Sequence, residues 1–83
     1  LMHPFVLTKE FENSLKKLDK NQQRLILRRM DKILQMPELG KPLHAPMQNY
    51  RSERIEVFRI IYSQKGDTIY FAFLEHRKTA YRF

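Results

Sequence analysis

Val57-Phe58-Arg59-Ile60-Ile61-Tyr62, then Lys65-Gly66-Asp67, then Thr68-Ile69-Tyr70-Phe71-Ala72-Phe73-Leu74 is the stretch on which the fold turns. Two runs of β-branched and aromatic residues flank a glycine-bearing turn, which reads as a β-hairpin. Side chains alternate along a strand, so Phe58, Ile60 and Tyr62 share one face and Val57, Arg59 and Ile61 the other. The first set belongs in a core. Arg59 then stands in the middle of an apolar strand on the open face. Depending on register, the second strand adds either Tyr70 and Leu74 or Phe71 and Phe73 to that face.

Upstream, Tyr50 to Ile55 reads as a weaker, charge-rich strand, and Pro37 to Gln48, with Pro37, Gly40, Pro42 and Pro46, as a loop. Before that loop the period changes. Leu25, Ile26, Met30, Ile33 and Leu34 make an apolar helical stripe, with Leu27 beside it and Arg24, Arg28, Arg29 and Lys32 mainly off it. Pro37 stops this helix near Gln35 or Met36. Asp19 with Gln22 forms a capping box at its start. Phe11, Leu15 and Leu18 mark one face of an earlier helix over Lys9 to Leu18, with Thr8 as its N-cap. The short link between the helices implies an antiparallel hairpin. Phe5 to Thr8 is a first strand, and His76 to Phe83 a polar tail with room for one helical turn.

The expected order is β-α-α-β-β-β, a single α+β domain over residues 1–83 with the helical hairpin packed on one face of a small antiparallel sheet. The chain has 83 residues, with 16 Lys and Arg against 9 Asp and Glu, a net charge of +7. Such an excess on a small domain implies an anionic partner: nucleic acid, an acidic protein or a membrane surface. Cysteine is absent, which excludes disulfides and thiolate metal sites and fits a reducing cytoplasm. No apolar run reaches the roughly 18–20 residues of a membrane span. Met2 reads as the natural first residue, and no signal-peptide pattern follows it.

Chemistry concentrates in the second half. Arg51 and Arg54 precede Arg59 and can come alongside it in a meander, while His76, Arg77 and Lys78 follow the last strand and Tyr81 stands three residues beyond. Arginines grip phosphate oxygens bidentately, and tyrosine stacks on a base or bonds a phosphate, so this face suits RNA. Glu53, Glu56 and Glu75 offset part of the charge. His3, His44 and His76 lack metal-ligand spacing, and no phosphate-binding glycine loop or serine triad is present, so neither metal nor cofactor is expected.

Tyr50-Arg51, Arg54 to Tyr62 and Glu75-His76-Arg77-Lys78-Thr79-Ala80-Tyr81 together resemble the RelE/ParE toxin superfamily, whose pattern there is a basic strand, an arginine-bearing apolar strand, a hairpin and a His-Arg-Lys-x-x-Tyr tail. Leu15-Lys16-Lys17-Leu18 and Gly40-Lys41-Pro42-Leu43 extend the resemblance over nearly the whole chain. The resemblance implies the toxin of a type II toxin–antitoxin pair, cytoplasmic and held by a cognate antitoxin protein. RelE-like members are metal-independent endoribonucleases, mRNA interferases that cut mRNA in the ribosomal A site by attack of the 2′-OH on the adjacent phosphate. By motif position, Arg59 and Arg77 would stabilise transition-state charge, Tyr81 would orient the base or assist proton transfer, and His76 would serve as acid or base. Arg51, Arg54 and Lys78 would bind RNA. Arginine stays protonated, so the general base is left open. The alternatives are a ParE-like inhibitor of DNA gyrase and an inactive RNA-binding relative.

Overall fold

The computed structural model describes residues 2–76. Its elements are β1 (Phe5–Leu7), α1 (Lys9–Lys16), α2 (Lys20–Gln35), a 3-10 turn (Pro37–Leu39), β2 (Lys41–Pro42), β3 (Tyr50–Ile55), β4 (Phe58–Lys65) and β5 (Thr68–His76). They make an α+β fold, two helices on one face of a five-stranded sheet of order β1-β5-β4-β3-β2.

Two features of the sheet differ from expectation. The sheet is not wholly antiparallel, because β1 lies parallel to β5 with Phe5 opposite Ile69 and Leu7 opposite Phe71. The stretch Pro37 to Gln48 is not all loop: Lys41 and Pro42 pair with Ser52 and Arg51 as a fourth strand after the helices. Pro42 is tolerated because β2 is an edge strand, where a missing N–H breaks no ladder.

Both helices start as their caps dictate. The Asp19 side chain accepts from Gln22 N at 2.8 Å and the Gln22 side chain accepts from Asp19 N at 3.2 Å, so the capping box is complete. Thr8 Oγ1 accepts from Phe11 N at 3.0 Å and donates to Ala72 O at 2.6 Å. One hydroxyl thus caps α1 and ties it to β5.

Ala72 is a bulge. Ile61 pairs with Phe73 and Tyr62 with Phe71, which leaves Ala72 without an opposite residue. The extra residue reverses the side-chain parity of β5. Ile69 and Phe71 face the helices before it, and Leu74 does so after it. The helix-side core joins Phe11, Ile26, Met30, Ile33 and Leu34 to Ile55, Phe58, Ile60, Tyr62, Ile69, Phe71 and Leu74. Val57, expected in the strand, instead sits with Glu56 in the two-residue turn between Ile55 and Phe58, where Glu56 has φ 54°. The β4–β5 turn places Gly66 at φ 58°, a conformation glycine adopts without steric penalty.

Candidate nucleic-acid interface

Directly opposite residues of a sheet share a face, so the registers fix what the open side presents. One row across it is Arg54, Arg59 and Glu75, and the next is Lys41, Ser52, Ile61 and Phe73. Tyr70, opposite Ser63, lies further along the same face. The apolar set is therefore Tyr70 with Phe73, a mixture of the two expected alternatives, because the bulge falls between them.

The cationic groups border a cleft of about 400 Å³ lined by Lys41, Leu43, His44, Ser52, Arg54 and Arg59, among others. Arg54 is exposed and, among the described residues, has no carboxylate partner. Arg59 is half-buried and ion-paired: its Nε and Nη2 donate to Glu75 Oε1 at 3.1 and 2.6 Å. Two guanidinium groups directly opposite each other repel, and Glu75 on the far side of Arg59 offsets that repulsion. Glu53 also borders the cleft, but its carboxylate is turned away from this face. It points to the helix side, where Arg29 holds it through Nη1 while also donating to Arg54 O at 3.1 Å.

The strand that brings Lys41 to the cleft is held from below. Tyr62 is buried, and its hydroxyl donates to Pro37 O at 2.6 Å and accepts from Gly40 N at 2.8 Å. Burial pushes the phenol pKa up, and the Gly40 hydrogen bond only partly opposes this. Gly40 itself admits no side chain, since a Cβ there would lie 2.8 Å from the Tyr62 hydroxyl and 2.9 Å from Cε1.

The expected residues separate into three groups. Arg54 and Arg59 meet on the open face. Arg51 does not join them: it faces the helix side and donates to Gly40 O at 2.7 Å, anchoring the chain before β2. His76 does not join them either. It pairs with Phe58 on the helix face, with ring centroids 5.3 Å apart, and borders a hollow with Ser14, Lys17 and Leu18. Arg77, Lys78 and Tyr81 lie outside the described residues. Lys41 and His44 are cleft residues that sequence reading missed, being placed in a loop without period; the signal available was Lys41-Pro42 beside a glycine, compatible with an edge strand. Among the described residues, no group of three or more His, Cys, Asp or Glu could hold a metal ion, and no helix is long and apolar enough to cross a membrane.

Three comparisons place this geometry. The chain is similar to a chain of the RelBE2 toxin–antitoxin complex of Mycobacterium tuberculosis, with 20% identity, a TM-score of 0.83, and coverage of 93% of this chain and 100% of that one. It is similar to a chain of the intact RelBE toxin–antitoxin complex of E. coli at 9% identity and a TM-score of 0.77, covering 89% and 95% of the respective chains. A chain of the chromosomal ParDE system of P. aeruginosa matches at 13% identity and a TM-score of 0.70, covering 90% and 96%. At these identities the likeness is one of fold. No curated protein sequence matches. The family model described as the ParE toxin of the type II toxin–antitoxin system, parDE, matches residues 5–81. By that match over nearly its whole length, the chain belongs to the ParE toxin family of type II toxin–antitoxin systems, within the RelE/ParE superfamily.

Proposed function

We propose that this toxin is a metal-independent endoribonuclease that binds mRNA in the ribosomal A site through the open face of its sheet. The observation that carries the proposal is Arg54 directly opposite Arg59, with Lys41 and His44 bordering the same cleft. A 2′-OH attacking the adjacent phosphate builds negative charge on the phosphorane oxygens, and fixed cations at that point lower the barrier. Arg59 is the central such cation, and the family motif adds Arg77. Tyr81 orients the base, while Arg54, Lys41 and Lys78 hold the backbone. His44 brings an imidazole to the cleft for proton transfer, a role His76 is badly placed for because it leaves the opposite face. A cognate antitoxin holds the toxin inactive, as the complexes of the RelBE relatives suggest, and both work in the cytoplasm where translation occurs.

Primer extension on mRNA in a translating extract tests this. Cuts at A-site codons are expected, and Arg59→Ala removes them, and growth arrest with them, while leaving the circular dichroism spectrum unchanged. Wild-type cutting by Arg59→Ala would displace the site. Intact mRNA with trapped gyrase–DNA complexes would favour a second reading, gyrase inhibition. That reading draws on the ParE description of the family and on the separation of His76 from Arg59, which thins the catalytic cluster.

A further inference from the structure

Arg59 is the best-placed phosphate ligand of the open face, yet two of its N–H donors are engaged by a single carboxylate oxygen of Glu75. A carboxylate on a guanidinium makes the same charge-assisted hydrogen bonds that a phosphate oxygen would make. Both side chains keep partial solvent access, 26% for Arg59 and 38% for Glu75, so the pair is open to exchange with an incoming anion. Nothing else on the described face plays this part: Glu53 points to the helix side and is held by Arg29. Glu75 reaches Arg59 only because the Ala72 bulge turns it to the open side.

We propose that Glu75 is an internal competitor for the phosphate seat on Arg59, so that RNA binds by displacing the carboxylate. This rests on the phosphate-binding reading of the open face, but not on catalysis. Before RNA arrives, the row Arg54, Arg59, Glu75 carries a net charge of one. Once a phosphodiester takes the carboxylate's place, both guanidinium groups face it. Glu75 therefore sets the threshold for backbone binding. It discriminates against weak single anions and favours a substrate positioned by several contacts, as an RNA strand is when held elsewhere along its length.

The test separates binding from cutting. A fluorescently labelled, single-stranded 2′-O-methyl RNA, whose blocked 2′ position forbids the attack, is titrated at fixed salt into the full chain and into Glu75→Gln, Arg59→Ala and the double variant. Glu75→Gln keeps the shape and removes the charge, and it should tighten binding about fivefold, the scale of a half-exposed ion pair. Glu75→Ala provides a second route to the same result should the amide perturb the strand. Arg59→Ala should weaken binding, and in that background the Glu75→Gln gain should vanish. Unchanged affinity in both Glu75 variants, with Arg59→Ala still weakened, would overturn the competitor role and leave the phosphate face standing. A gain that persists without Arg59 would reduce Glu75 to a general charge effect and overturn the proposal equally. Indifference of every variant, or absence of binding throughout, would overturn the phosphate reading as well.

Discussion

Replacing Tyr62 with phenylalanine removes one oxygen atom and two hydrogen bonds. The ring stays in the core, but Pro37 O loses its 2.6 Å donor and Gly40 N its 2.8 Å acceptor, both at a site closed to solvent. A buried polar group left unsatisfied costs about 1–3 kcal/mol, with a carbonyl at the lower end, so the pair should cost about 3 kcal/mol. A domain of this size has only about 4–12 kcal/mol in all. With a urea slope near 1 kcal/mol per molar, the unfolding midpoint should fall by about 2–3 M, read by circular dichroism. Tyr70→Phe, on the half-exposed open face, is the control and should change stability by less than about 0.5 kcal/mol. A second arm uses pH. Burial raises the Tyr62 pKa above the value near 10 of an unfolded tyrosine. Below about pH 10 both states hold the proton and the contribution is complete. Above it the unfolded chain releases its proton first and binds fewer than the folded one, so stability falls as pH rises towards the folded pKa. Tyr62→Phe lacks this component, so its deficit against wild type should shrink at alkaline pH. A midpoint for Tyr62→Phe within about 0.5 M of wild type would refute the clamp; parallel pH curves would refute the burial argument.

Other substitutions probe other joints of the molecule. Thr8→Val removes both the α1 cap and the bond to the bulge carbonyl, and should cost about 2 kcal/mol, seen as a melting point lower by about 8–16 °C. His44→Gln should lower single-turnover cleavage about a hundredfold with RNA affinity little changed; a rate equal to wild type would remove His44 from proton transfer.

The helices were legible because their signals are local: an apolar stripe, a hydroxyl or carboxylate at each N-cap, and a proline past the end of α2. The β4–β5 hairpin was legible by alternation and its glycine turn. What escaped was set by distant partners. β2 spans two residues and has no period of its own, and it exists because Tyr62 and Arg51 hold the chain beside β3. The parallel placement of β1 rests on contacts such as Ile69 N to Pro4 O, which no local pattern encodes. The parity of Arg51 was recoverable: Ile55 is a core residue, and stepping back by twos puts Glu53 and Arg51 on its side and Arg54 on the other. The parity of His76 was not, because uninterrupted alternation from Ile69 and Phe71 would send it to the open face beside Arg59.

The Ala72 bulge also constrains how such a chain can change over evolutionary time. Deleting that residue would leave the pairing intact, with Glu75 still opposite Arg59 on the open face and His76 still opposite Phe58 on the helix side, whereas closing the bulge with the residue retained would bring Leu74 opposite Arg59, turn Glu75 toward Phe58 and send His76 outward. Within this architecture, a chain one residue shorter at this point would keep the carboxylate on the phosphate-facing surface, and a chain of the same length without the bulge would present an imidazole there instead.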